Sequence, residues 1–281
     1  MSLSPRAAHL PPSGRPQALL VSLVAHRELL WQLVHREVIG RYKGSFMGIA
    51  WSLITPLLML SVYSVVFGQV FRSRWGQTSG GKTEEFAIVL FVGLIVHGLF
   101  TEVATNAPRL MIGHANFVKR VVFPLELLPI ANLASAAFHA LVSAVVLVAG
   151  ALLVFGGIPL EAAWLPVVIA PYLVALMGLA FFLASLGVYV RDIGQTMNMV
   201  SSVMLFLSPV FYPISAVSGT MRTLLELNPL TLIIESARQC ILWGQLPDLR
   251  ALAIYAVASG AFAAAGFWWF QRTRRGFADV I

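Results

Sequence analysis

The sequence predicts an all-α membrane protein with six transmembrane helices, on three observations. Hydrophobic residues make up 58% of the chain and charged residues only 11%, where a soluble domain carries roughly one-quarter charged residues. Mean hydropathy is +0.83. Six long apolar runs, each near the roughly 20 residues that cross a bilayer, alternate with gaps that hold most of the Lys and Arg. At 281 residues, six spans leave little room for a separate soluble domain. The function has to be exercised in or across a membrane.

Residues 1–25 read as a flexible tail, with Pro5, Pro11, Pro12 and Pro16 near the start and no apolar core of the roughly 7 to 15 residues that a cleavable signal peptide needs. The first span then serves as its own insertion signal. The stretch 26–38, HRELLWQLVHREV, places Leu29, Leu30, Leu33, Val34 and Val38 on one side and Arg27, Glu28, Gln32, His35 and Arg36 largely on the other. That pattern predicts an amphipathic helix lying along the membrane face, either a plain anchor or a docking platform. Membrane helices follow near 45–71, 86–105, 129–155, 164–190, 195–212 and 251–270, and everything from 26 to 281 reads as one transmembrane domain. Thirteen of the 19 Lys and Arg fall in the N-terminal segment, the alternate gaps and the tail that share one side, and six on the other. By the positive-inside rule both termini are cytoplasmic.

Between the fifth and sixth spans, LLELNPLTLIIESARQCILWGQ is too polar to cross a bilayer yet keeps apolar residues at helical spacing. Two short helices broken at Asn228 and Pro229 fit, with Pro unable to continue a helix through its missing N–H. They would form a re-entrant pair in the outer leaflet, tolerated only where protein or water satisfies the broken backbone. A single interfacial amphipathic helix is the simpler alternative.

The net charge of +7 raises nucleic acid as a partner, but the basic residues sit beside spans, which favours anionic lipid headgroups. Cys240 is the sole cysteine, so no intrachain disulfide or cysteine-based metal cluster forms. Just before the first span, GRYKGS carries Arg41, Tyr42 and Lys43. Arg41 and Lys43 are either ordinary positive-inside residues or a grip for an anionic headgroup such as a lipid pyrophosphate. Between the second and third spans, PRLMIGHANFVKRVVFP makes a short loop with Asn116, Phe117, Val118 and Lys119 at its turn. Its length suits a segment lying across a partner. Arg191 and Asp192 occupy a shorter loop that reads as solvated.

Ionisable groups inside the spans are few: His97, Glu102 and His139, with Glu126 just before the third. A proton relay needs more of them along one face. Tyr63, Phe67 and Phe71 recur every four residues and share one helical face, and Phe206, Phe211 and Tyr212 gather on the fifth span. Such aromatics are either lipid-facing and belt residues or an apolar lining on which sugar rings slide. GQTSGGKT, from Gly76 to Thr83, matches a phosphate-loop pattern. No buried strand precedes it and the topology puts it outside, so Gly76, Gly80, Gly81 and Lys82 read as a loop.

Taken in order, the amphipathic helix, GRYKGS running into MGIAWSLITPLLML, NFVKRVVFP, YVRDIG and the broken segment NPLTLIIESAR resemble the membrane permease subunits of type-2 ABC exporters. The likeness is strongest to the branch that exports O-antigen and related polysaccharides or polyol phosphates, and it covers the chain from about His26 to Phe270. The resemblance implies a subunit without covalent chemistry that pairs with a second copy of itself and with two separate ATPase subunits holding ATP and Mg. It implies that Arg27, Trp31 and Arg36 on the interface helix and Asn116, Phe117, Val118 and Lys119 in the coupling loop meet the ATPase. Arg41, Tyr42 and Lys43 would stand at the entrance for a lipid-linked pyrophosphate, and Asn228, Pro229, Glu235 and Arg238 in the outer gate. The implied location is the bacterial inner membrane and the implied cargo an undecaprenyl-pyrophosphate-linked polysaccharide.

Teichoic-acid or capsule export would use the same architecture, and small-molecule efflux would drop the dependence on a lipid-linked polymer. A membrane enzyme would need acids or metal ligands clustered at one depth, and the sequence shows no such set. If the Tyr63 and Phe67 stripe lines the path, alanine at both positions lowers polymer export at normal expression, and Trp is tolerated better than Asp. Unchanged export in the double alanine variant would remove the aromatic lining.

Overall fold

A computed structural model describes residues 16–66, 83–119 and 123–281, and among these the chain is helical without strands. Phe67, Phe71, the glycine-rich stretch 76–82 and residues 1–15 lie outside the described residues. Part of the expected N-terminal tail is instead helix α1, Pro16–Ala25. Beyond its last proline this segment, QALLVSLVA, is almost wholly apolar, which corrects the expectation of no apolar run before the amphipathic helix, and Leu19 is buried. Helix α2, Arg27–Gly40, reaches slightly further than the expected amphipathic helix. It rests Leu33 and Val38 against the bundle and packs on the third expected span.

The spans follow the hydropathy closely. Helix α3 covers Trp51–Tyr63, α4 Thr83–Asn106, and α4 continues through a tight turn into α5, Leu110–Gly113, and α6, Ala115–Val118. Helix α7 is Leu127–Phe155, ended by Gly156 in the left-handed conformation at φ 74° that glycine adopts without steric cost. Helix α8 is Leu165–Tyr189, α9 Ile193–Phe206, α10 Gly219–Leu227, α11 Pro229–Leu242, α12 Leu249–Thr273 and α13 Phe277–Val280. Five segments among the described residues are long and apolar enough to cross a membrane, centred on α3, α4, α7, α8 and α12. The fifth expected span, 195–212, is different. Its helix has 14 residues, about 21 Å at 1.5 Å per residue, short of the ~30 Å hydrocarbon core.

Contacts fix the directions. Helices α4 and α7 run antiparallel, with Glu102 beside His139 at one end and Ile88 beside Gly150 at the other. Helices α8 and α12 run parallel: Gly178 meets Ala263 and Gly266, while Ser185 Oγ lies 2.6 Å from Thr273 Oγ1. A Cβ on Gly178 would sit 2.8 Å from Ala263 Cα, so a bare glycine lets these backbones approach as small residues do in membrane helix pairs. Because α8 and α12 point the same way, the chain between Tyr189 and Leu249 has to return from one end of the bundle to the other. Helix α9 begins that return alongside α4, with His97 Nε2 donating to Ser201 O at 2.9 Å. The start of α7, α1 and the end of α12 meet at one end of the bundle. Glu126 accepts from Ser22 Oγ at 2.8 Å and from Arg274 Nη1 at 3.0 Å.

Where α9 stops, carbonyls of the turn that follows lack helical partners, and two side chains from further along the chain supply donors. Asn228 Nδ2 donates to Leu207 O at 2.8 Å and to Ser208 Oγ at 3.0 Å, while its Oδ1 caps α11 by accepting from Leu230 N. Arg238 is 0% exposed. Its Nη1 donates to Pro209 O and to Glu235 Oε1, its Nη2 to Val210 O, and its Nε to Val89 O of α4. The break at Asn228 and Pro229 lies where the sequence places it.

Replacing Arg238 with Leu leaves those carbonyls and Glu235 without their donor in a buried site. It is expected to destabilise the fold by about 3 kcal/mol, the order seen when one partner of a buried ion pair is removed. A fall in the melting temperature of the purified chain in detergent checks this, and Arg238→Lys should recover only part of the loss.

Candidate functional site

Arg41 is the residue that ends α2, and its guanidinium reaches the α4–α7 seam. Arg41 Nη1 lies 3.0 Å from Glu102 Oε1 and 2.7 Å from His139 Nδ1, and His139 Nδ1 lies 2.9 Å from the same Glu102 oxygen. The Tyr42 ring meets the His139 ring edge-on, with centroids 5.9 Å apart. Lys43, next in the chain, is exposed. Of the expected entrance residues Arg41 and Tyr42 stand at this seam, with Arg41 joined to two ionisable groups that the sequence displays only as isolated intramembrane residues.

Two cavities meet at this cluster. One, of about 370 Å³, is lined mostly by polar side chains, among them Glu37, Arg41, Glu102, Arg109, His114 and Asn132. The other, of about 550 Å³, runs along α3, α4 and α7 past Pro56, Met59, Tyr63, Phe91 and Ile95, and shares Arg41 and Glu102 with the first. Of the expected aromatic path, Tyr63 lines this more apolar cavity. Phe206, Phe211 and Tyr212 form a separate cluster at the broken end of α9, with the Phe206 and Phe211 rings 5.8 Å apart and the Tyr212 hydroxyl donating to Phe206 O. Phe206, Phe211 and Tyr212 do not line the cavity that Tyr63 lines.

The interface helix and the expected coupling loop touch. Arg36 lies over the Phe117 ring at 5.5 Å, and its Nη2 is 3.3 Å from His114 Nε2. Phe117 stacks on Phe123 at 4.4 Å and on His114 at 5.8 Å. His114 Nδ1 donates to Leu110 O, which leaves Nε2 to accept from Arg36. Val118 is buried, while Asn116 and Lys119 are exposed. On α2, Arg27 is exposed and Trp31 is 70% exposed. The interface helix and the coupling turn, joined by this short aromatic stack, thus leave Arg27, Trp31, Arg36, Asn116 and Lys119 open to a partner. Asn228, Glu235 and Arg238 gather around the α9 break, with Pro229 at the first turn of α11.

A model of the ABC-2 type transporter family matches residues 28–242. The chain belongs to this family. As an ABC-2 type chain it is similar over almost its whole length to O-antigen export system permease proteins. It is 27% identical to the RfbA protein of Myxococcus xanthus over 267 residues, covering 94% of this chain and 99% of that one. It is 24% identical to an RfbA protein of Klebsiella pneumoniae over 257 residues, covering 90% and 95%.

Hydropathy alone does not pair Glu102 with His139, yet the sequence carries a signal. Glu102 precedes the end of its span at Gly113 by nearly the same stretch as His139 follows the start of the next at Leu127. Similar distances from a short connecting loop put two residues at one level across an antiparallel helix pair. Glu37, one turn before Arg41, borders the same polar cavity. Burial pushes its carboxyl above the usual range, against a hydrogen bond from Asn132 and the pull of Arg36.

A carboxyl whose folded pKa lies above its unfolded one stabilises the fold below the unfolded value, and that contribution is lost as pH rises through the folded value. Glu37→Gln is therefore expected to melt higher than the parent chain at neutral pH. The gap should close on acidification through the ordinary carboxylate range, and melting curves of both chains between neutral and acidic pH read it directly.

Proposed function

We propose that this chain is the membrane-spanning permease subunit of an ATP-driven exporter. It moves undecaprenyl-pyrophosphate-linked polysaccharide of the O-antigen type from the cytoplasm across the inner membrane. The observation that carries the reading is the pair of cavities joined at Arg41: a polar one suited to a charged headgroup and a more apolar one that continues along α3, α4 and α7 past Tyr63. A guanidinium is well matched to phosphate oxygens through paired donors. The near full-length similarity to O-antigen export permeases supports the class of cargo.

In this reading both termini are cytoplasmic, residues 26–281 act as one transmembrane domain, and two copies enclose the path. Each copy takes an ATPase subunit on the surface that carries Arg27, Trp31, Arg36 and the Asn116 to Lys119 turn. ATP binding closes the ATPase pair, and the stack of Arg36 on Phe117 passes that displacement into α2 and α4 together. The headgroup enters at Arg41, Tyr42 and Lys43, and the glycan slides on apolar faces that include Tyr63. Repeated cycles of this kind advance a long polymer, since no step requires a sugar to be tightly held. Helices α10 and α11, a re-entrant pair in the outer leaflet, open last, hinged on the Asn228 and Pro229 break and on Glu235 and Arg238.

Cells lacking the chain are expected to lose surface glycan and to accumulate lipid-linked glycan inside. Wild type should restore export, and a variant with Asn116 to Lys119 replaced by glycines should not. Normal surface glycan in the deletion strain, with no second exporter present, would sink the polysaccharide reading and favour small-molecule efflux.

A further inference from the structure

The Arg41, Glu102 and His139 cluster is over-subscribed. His139 Nδ1 lies within hydrogen-bond distance of both Arg41 Nη1 and Glu102 Oε1, yet one ring nitrogen either donates or accepts and does not do both. The other ring nitrogen, Nε2, is buried without a hydrogen-bond partner. A bare acceptor at a buried site is easier to tolerate than an orphaned N–H, so the proton belongs on Nδ1, where it is donated to Glu102. Arg41 Nη1 then faces an N–H at 2.7 Å, a donor against a donor. Of the three groups Arg41 is the loosely held one. It is also the accessible one, its side chain 43% exposed against 17% for Glu102 and 12% for His139.

We propose that Glu102 is an internal surrogate for a phosphate group, holding Arg41 while the site is empty and yielding it when a phosphate enters the polar cavity. This rests on the reading of Arg41 as part of an anion entrance. The exchange is nearly balanced by construction. When Arg41 turns to a phosphate oxygen, Glu102 keeps the His139 Nδ1–H bond, and the donor–donor contact between Arg41 and His139 is relieved. Arg109 lines the same cavity and adds a second permanent cation near the incoming anion. Glu37 lines it too, with the Arg36 and Arg41 guanidinia close enough to offset its charge. Glu102 and Arg41 also border the more apolar cavity. Releasing Arg41 therefore changes the partition between the two spaces at the moment cargo arrives. Glu102 acts as a positioning and selectivity residue: it raises the affinity an anion needs before it can take Arg41, so weakly charged molecules are refused.

The test uses the full-length chain in lipid nanodiscs, with inorganic pyrophosphate and farnesyl pyrophosphate as probes in titration calorimetry. Glu102→Gln keeps the shape and the His139 contact but removes the competing charge, and it is expected to bind both probes about tenfold more tightly than wild type. Arg41→Gln is expected to weaken binding by about tenfold or more, and the double variant should behave like Arg41→Gln alone. Glu102→Asp, which draws the carboxylate back by one methylene, should move in the same direction as Glu102→Gln by a smaller factor and guards against misfolding of either variant. Unchanged or weaker binding in Glu102→Gln, with Arg41→Gln still weakened, would overturn the surrogate role and leave the entrance standing. Unchanged binding in Arg41→Gln would remove the entrance itself. Tighter binding of farnesyl pyrophosphate than of pyrophosphate marks a lipid-borne headgroup as the source of the anion, and equal binding of the two would overturn that source.

Discussion

Arg238 reaches from α11 to main-chain carbonyls on two other segments, Val89 on α4 and Pro209 and Val210 past the end of α9. The rest of the fold depends on that reach. In hydrocarbon an unsatisfied carbonyl costs several kcal/mol. A helix as short as α9 can therefore be followed by a turn inside the bundle only if something donates to the carbonyls of that turn. Arg238 brings five N–H donors in one planar fork, and its complete burial holds them in place. Asn228 covers the preceding positions, Leu207 and Ser208, from the break between α10 and α11. The short α9, the turn after it and the α10 and α11 pair exist as one unit because these two side chains satisfy the broken backbone between them.

The seam where α1, α7 and the C-terminal segment meet is joined by charge as well, but in a different way. Glu126 at the head of α7 takes one donor from α1 and one from Arg274, just past the end of α12. A single carboxylate therefore ties the first described helix to the end of the last long one. Phe277 of α13 then packs on Phe270 and Tyr189. This fastens the C-terminal turn to α8 and α12, whose own contact is as close as Gly178 allows. These are fixed contacts, and the surface formed by Arg36 over Phe117 is built beside them.

Much of the fold was legible because hydropathy in a membrane chain is close to a direct reading of solvent. The bounds of α4, α7, α8 and α12 fall within a few residues of the apolar runs, and the break at Asn228 and Pro229 was visible because proline cannot continue a helix. Helix α1 is obscured in the sequence by the four prolines that precede its apolar run. The shortness of α9 was masked by hydropathy: SPVFY continues the apolar run, and Pro209 within it is the local signal that the helix stops near Leu207. The donors from Asn228 and Arg238, well downstream in the chain, show what satisfies the backbone there. Of the site, Arg41 stood out by its place before a span and Phe117 by its place in a loop. Their partners stood out less, because the matching distances of Glu102 and His139 from the connecting loop become a signal only once α4 and α7 are paired antiparallel, a property of the pair and not of either run.

Helix α4 connects the two kinds of polar cluster. It carries Val89, which accepts from Arg238, near one end, His97 bonded to Ser201 in the middle, and Glu102 near the other end, and it runs on through a tight turn into α5 and α6. With 24 residues in one helix it spans about 36 Å. A displacement entering at Phe117, as proposed, has to be taken up where contacts can change. At Arg238 a change would leave buried groups open, since every nitrogen of the guanidinium is engaged and none is near solvent. At Arg41 contacts can exchange, since its partner carboxylate already has a second donor and its side chain is partly in solvent. Coupling between distant sites requires an element with two discrete arrangements. In the exchange proposed above the Arg41–Glu102 pair is that element, and the saturated cluster at Arg238 is the fixed point beside it.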